Sequence, residues 1–249
     1  MSASDGAASG SSEPRATAHD DGVDPDEVRP GGDQVVPRPP GWRIGPTAPW
    51  SLGDRVDLAT ARAAIPAVDE PLVPAFSGAI PSAVLVLLAP GPEGPEVLLT
   101  RRSWELRHHR GEISFPGGRL DPGESPAEAA LREATEEVGL DPPAVEVVGE
   151  LTHVNTVVSR SYIVPKVAVA GERIELAPRT AEVDRVLWLP LAELTAPHTY
   201  RSEVWGVDGV SRTLHFFHLD DETVWGVTAH ILVDLLHRAL RLPLRLPPR

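Results

Sequence analysis

Residues 118–140 read GRLDPGESPAEAALREATEEVGL, a loop that turns into one short helix. Ser125 supplies the N-cap, Pro126 the first helical position and Glu128 the reciprocal arm of a capping box. The helix begun there runs to about Val138, where Gly139 stops it and Pro142-Pro143 keep it from resuming. At about 100° per residue, Ala127, Ala130, Leu131, Ala134 and Val138 share one apolar stripe. Glu133, Glu136 and Glu137 occupy the neighbouring arc, so three carboxylates meet on one face.

Like charges at these spacings destabilise a helix by roughly 0.2–0.5 kcal/mol per pair, and Arg132 is the obvious local relief. Two readings follow from spacing alone. The face is either a solvated acidic surface or a site for a hard divalent cation, Mg²⁺ or Mn²⁺, which takes carboxylate oxygens and substrate phosphates.

Outward from this helix the chain reads as strands. Ser82–Leu88 is an apolar run buried on both faces, followed by the turn Pro90-Gly91-Pro92 and a second strand, Glu96–Arg101. Val145–Val158, Tyr162–Val169 and Arg185–Leu189 are further strands. Leu191–Leu194 reads as a short helix and Thr228–Leu240 as an amphipathic one, with Ile231, Leu232, Leu235, Leu236 and Ala239 at helical spacing. Residues 1–40 carry Asp5, Glu13, Asp20, Asp21, Asp24, Asp26, Glu27 and Asp33 with few large apolar groups, the composition of a disordered acidic tail. Residues 41–81, with Trp42, Trp50, Leu52 and a helix over Asp57–Ile65, read as a segment that docks on the domain. The domain proper spans 82–240, and 241–249 is a proline-rich tail.

Composition narrows the function. The 249 residues carry a net charge of −13, the wrong sign for nucleic acid, whose binding needs clustered Lys and Arg. Bound cations can still bring a small phosphorylated substrate to an acidic enzyme. Without cysteine there are no disulfides, thiolate nucleophiles or Cys-based zinc sites. No leader-like apolar core and no stretch long enough to span a bilayer is present, so a soluble, cytoplasmic protein without membrane contact is expected.

The stretch 118–140 resembles the Nudix box, G-x5-E-x7-R-E-U-x-E-E-x-G-U, with Gly118, Glu124, Arg132, Glu133, Glu136, Glu137 and Gly139 at the fixed positions. Ala134 departs from it, standing where a larger aliphatic is usual and thinning a core contact. The resemblance implies an α/β fold, a Nudix α/β/α sandwich around a mixed β-sheet, and a hydrolase of a nucleoside diphosphate linked to another moiety. It also implies Mg²⁺ or Mn²⁺ on Glu133 and Glu137, with Glu136 in the same cluster. Arg132 would orient the glutamates and Glu124 would support the loop. Glu133 is the first candidate for the general base acting on water, although family members place the base differently.

Just upstream, Leu98-Leu99-Thr100-Arg101-Arg102-Ser103, Arg107, Gly111 and Phe115-Pro116-Gly117-Gly118 resemble the added signature of coenzyme A pyrophosphatases, L-L-T-x-R-S-x3-R-x3-G-x3-F-P-G-G. Val224–Ala229 resembles the Trp-Gly-x-Thr-Ala start of that group's last helix. Thr156–Val164 matches it only in part. The implied substrate is coenzyme A or an acyl derivative, with Arg102, Arg107, Gly117 and Gly118 at its phosphates; a homodimer is an assembly this reading admits. Three alternatives stay open. Arg102 and Arg107 could instead pair structurally with Glu105, Glu112 or Asp121. The substrate could be NADH or ADP-ribose. A non-catalytic ligand-sensing module is the third, although such modules typically lose box glutamates that this chain keeps. His108 and His109 read as incidental, and His153, His215 and His218 receive no role.

Overall fold

The computed structural model describes residues 32–51, 54–67, 69–74, 76–156, 160–196, 198–207 and 209–243. In chain order these form β1 (Arg43–Ile44), α1 (Leu58–Ala64), β2 (Ile80–Gly91), β3 (Gly94–Arg102), β4 (Ile113–Ser114), β5 (Gly117–Arg119) and α2 (Pro126–Val138). A short 3-10 turn then leads to β6 (Val145–Glu150), β7 (Val154–Asn155), β8 (Ser161–Ala170), β9 (Val183–Pro190) and α3 (Leu191–Leu194). The chain closes with β10 (Tyr200–Val207), β11 (Val210–His218), β12 (Thr223–Trp225) and α4 (Gly226–Ala239).

The main sheet is mixed: β2 pairs in parallel with β8, while its contacts with β3 and β5 are antiparallel. β2 is apolar from Ala83 to Ala89 because both of its faces are covered there. Ala83, Leu85, Leu87 and Ala89 face α2 through Ala129, Ala130, Ala134 and Val138. Val86 and Leu88 face the opposite layer with Ile231, Leu232, Leu235 and Leu236 of α4. Helices on both sides of a mixed sheet make an α/β/α sandwich, the architecture that the resemblance implies. The thin residue at Ala134 is part of a row of alanines that lets α2 sit close on the sheet, so the space is filled from the sheet side.

Several boundaries differ from the sequence-based expectation. β2 runs through Pro90-Gly91 and turns at residues 92–93, with Gly91 opposite Gly94. The expected strand Val145–Val158 is two strands. Its register shifts between Val147 and Gly149, where the backbone carries φ 156 and a side chain would meet the Pro66 carbonyl; residues 157 and 158 lie outside the described residues. Within the expected N-terminal tail, 1–31 also lies outside them, but Gln34 and Val36 are buried. Docking therefore starts before residue 41. Of the expected C-terminal tail, 241–243 is described and 244–249 is not.

The chain also builds a second sheet, in the order β1-β10-β11-β12, whose strands are not among those expected from the sequence. β10 and β11 lack a long apolar run because consecutive polar residues, Arg201-Ser202-Glu203 and Ser211-Arg212-Thr213, interrupt them, and the buried Glu203 sits in the middle of β10. Arg38 pairs with Glu203 at 3.0 Å from the N-terminal segment, and Trp50 stacks on Phe217 with centroids 6.2 Å apart. The one local signal in the sequence is the Asp208-Gly209 dipeptide, a pair typical of hairpin turns. Among the described residues no helix is long and apolar enough to cross a membrane.

Candidate active site

The helix that carries the carboxylates starts as its sequence demands. Ser125 accepts a hydrogen bond from the Glu128 amide at 3.3 Å, and Glu128 Oε2 accepts from the Ser125 amide at 2.8 Å. At the far end Gly139 takes the left-handed conformation, φ 77 and ψ 30, and its amide reaches back to Ala134 and Thr135. The loop between β8 and β9 then closes on that end. Arg179 donates its amide to the Glu137 carbonyl at 2.8 Å, and Ala177 does the same to Val138 at 3.2 Å. The segment 113–119 lies on the other side, with Gly117 and Gly118 paired to Val84 and Ala83 of β2.

Arg132 organises the loop before the helix. Its Nε and Nη2 donate to the two oxygens of Glu124 at 2.8 and 3.1 Å, a bidentate grip, and Nη1 donates to Glu133 Oε1 at 3.0 Å. Nη2 also reaches the Arg119 carbonyl at 3.1 Å, and Glu136 lies 3.5 Å from Nη1. The Arg132 hydrogen bond, then the Asp121 amide, holds the Glu124 carboxyl below its ordinary range. Arg132 is correspondingly held protonated, first by Glu124.

Glu137 is the buried member, 8% exposed. Desolvation first, then the neighbouring charges of Glu133 and Glu182, pushes its carboxyl up to about 7, against the Gly117 amide, which donates to it at 3.3 Å, and the Arg102 guanidinium. Backbone packing requires glycine at Gly117, while at Gly118 a side chain would displace the Glu133 carboxylate. A β-carbon on Gly118 would collide with the Glu133 carboxylate, and one on Gly117 would collide with the Ala83 carbonyl.

The expected residues are thus partly gathered. Gly117, Gly118, Glu133, Glu137 and Arg102 lie together, with Glu124 and Arg132 behind them and Glu136 on the exposed flank. Arg102 does not pair with Glu105, Glu112 or Asp121; its Nη2 donates to Glu182 at 3.2 Å, and its buried Nε has no hydrogen-bond partner. Arg107 is exposed and makes no ion pair among the described residues. Glu182 and Arg179 were not anticipated, since the 171–182 loop has neither periodicity nor motif to mark it. A groove of about 700 Å³, lined by Arg62, Ala127, Glu146 and Lys166 among others, contains none of these site residues.

Among the described residues, no three acidic or histidine side chains converge tightly enough to enclose a metal ion as they stand. The donor set nevertheless fits a hard divalent cation. A buried carboxylate raised by desolvation beside a second carboxylate lacks positive charge, and turning Glu133 and Glu136 about their side-chain torsions adds oxygens on the same face.

A mixed-sheet α/β/α sandwich with a carboxylate helix closed on a glycine loop has the build of a nucleotide-processing hydrolase. The profile of the NUDIX domain matches residues 79–206. The chain is 36% identical over 143 residues to the uncharacterized Nudix hydrolase NudL of Photorhabdus laumondii subsp. laumondii, covering 57% of this chain and 75% of that protein. It is 34% identical over 155 residues to the NudL of Yersinia pestis strain Pestoides F, covering 62% and 77%. Among solved structures it is similar to RenU, a Nudix hydrolase from M. smegmatis, at 28% identity and TM-score 0.41, covering 48% of this chain and 75% of that one. The chain belongs to the Nudix family and is a hydrolase of a nucleoside diphosphate derivative. Nudix enzymes generally use divalent metal ions such as Mg²⁺ or Mn²⁺.

Proposed function

We propose that this enzyme cleaves the pyrophosphate of coenzyme A or an acyl-coenzyme A, giving 3′,5′-ADP and (acyl-)4′-phosphopantetheine. The observation that carries the reading is Arg102: the signature residue stands beside Glu137 with its side chain 27% exposed and only Nη2 held, by Glu182, so that its guanidinium can grip a phosphate oxygen. Arg107, on the exposed loop that follows, is free to meet a second phosphate, and coenzyme A has both a pyrophosphate and a 3′-phosphate. Gly117 and Gly118 keep the floor of the site clear of side chains.

Glu133, Glu136 and Glu137 would hold Mg²⁺ or Mn²⁺, which when bound neutralises charge on the phosphates and acidifies the attacking water. Glu133 is the candidate to accept the water's proton, and its hydrogen bond from Arg132 keeps the carboxylate oriented. Arg132, clamped by Glu124, positions and does not react.

The test is product formation from coenzyme A, acetyl-coenzyme A, NADH and ADP-ribose with Mg²⁺ or Mn²⁺. Turnover of coenzyme A with release of 3′,5′-ADP is expected. Negligible turnover of it beside rapid hydrolysis of NADH or ADP-ribose would replace this substrate while leaving the hydrolase intact.

A further inference from the structure

The N-terminal segment that docks against the second sheet sends one polar side chain, Gln34, into a buried junction. Gln34 Nε2 donates to the Gly111 carbonyl at 3.0 Å and to Glu222 Oε2 at 2.5 Å, while its Oε1 accepts from the Thr223 amide at 3.0 Å. Glu222 is itself buried and takes Arg101 Nη1 at 2.9 Å and Arg185 Nη1 at 3.0 Å. A primary amide suits this place because it donates twice and accepts in one plane.

What Gln34 grips matters for the site. Gly111 ends the loop that leaves β3 at Arg102, and its amide returns to the Arg102 carbonyl at 3.0 Å, while the Arg102 amide donates to Glu112 at 2.9 Å. Gly111 takes φ 68 under the Trp104 ring, where a β-carbon would collide. Through Gly111 and Glu222, one side chain therefore ties the backbone closure of Arg102 and the side chain of Arg101 to the β12 turn. None of these hydrogen bonds reaches α2.

We propose that Gln34 is a positioning residue for substrate binding, holding loop 103–111 so that Arg102 and Arg107 face the substrate phosphates. This rests on the reading of that loop as the phosphate-binding element. Losing the tie orphans the buried Gly111 carbonyl and loosens the loop without altering the carboxylate helix. Its signature is a KM effect.

Gln34→Met keeps the volume and removes the hydrogen bonds. Its KM for the turned-over substrate should rise about 5–10-fold with kcat within about twofold, and Mn²⁺ affinity should be unchanged. Backbone amides of residues 102 and 111 should exchange faster with solvent. Ile231→Val, a mild core change on α4, controls for lost stability and should leave both readouts at wild type. Wild-type KM and exchange in Gln34→Met, or the same KM rise in Ile231→Val, would overturn the proposal. If wild type turns over none of coenzyme A, NADH and ADP-ribose, the substrate reading fails, and the exchange measurement still decides whether Gln34 holds the loop.

Discussion

Helix α2 and the β10–β11–β12 sheet are organised by interactions of opposite range. Around α2 the deciding bonds join near neighbours: Ser125 to Glu128, Arg132 to Glu124 and Glu133, and the Gly139 amide back to Thr135. In the small sheet they join distant residues: Gln34 to Thr223, Arg38 to Glu203, and Trp50 on Phe217. The first half gathers three carboxylates on one helix face at the candidate site. The second concentrates aromatic and paired polar groups for cohesion, so damage to the two should separate into lost turnover and lost stability.

The largest separation is expected at Glu137. Glu137→Gln preserves shape and the contact with the Gly117 amide but removes the charge that would meet a cation. Turnover should fall by about 10³-fold or more, since a ligand of this kind supports several kcal/mol of transition-state stabilisation. The melting temperature should stay at or above that of wild type, because burial already disfavours the ionised form. Full activity in this variant would remove the metal site from Glu137; unfolding would show that the two halves are not separable.

The same contrast of range explains what the sequence made legible. The capping box, the αL glycine and the box glutamates are adjacent letters with a physical grammar, and α2 came out with its expected ends. The continuous apolar strand β2 followed from burial on both faces. The second sheet did not, because Glu203 and Arg38 contribute to it as a pair separated along the chain, and neither strand of the hairpin shows a clean period of two. Glu182 escaped for the same reason: its place beside Arg102 is created by a loop that returns only after five strands and helix α2 have intervened. The split of β6 from β7 depended on Gly149, which looks like any strand glycine until Pro66 is packed against it.

The next largest effect belongs to the small sheet and is set by pH. His215 accepts or shares a hydrogen bond with the Tyr200 hydroxyl at 2.7 Å and lies 5.8 Å, ring to ring, from His230. Burial first, then the charges of His230 and His237, lowers its pKa to about 4. His230 is lowered as well, opposed by Asp234, and burial raises Tyr200 to about 12, so the hydroxyl keeps its proton to donate. The folded state thus holds His215 neutral while the unfolded chain protonates near 6.5. Stability from this site is complete above about pH 6.5 and is lost as pH falls toward 4, by about 3 kcal/mol at most. Thermal unfolding between pH 8 and 4 should show that loss in wild type and a shallower one in His215→Gln. Parallel slopes would place the acid sensitivity elsewhere.

The smallest effect tests whether local grammar contributes stability or geometry. Ser125→Ala deletes the side-chain half of the capping box, a loss of about 1 kcal/mol. α2 would still be held by Ala129, Ala130, Ala134 and Val138 on the sheet, and Glu124 would still be gripped by Arg132 from within the helix. The carboxylates should therefore keep their places, and kcat and KM should remain within about twofold of wild type while denaturant unfolding shifts to lower midpoint. A substantial fall in kcat at unchanged stability would mean that the cap sets the angle at which α2 meets Gly117 and Gly118. In that case the near-neighbour bonds of the site would be as much a part of the catalytic geometry as the glutamates themselves.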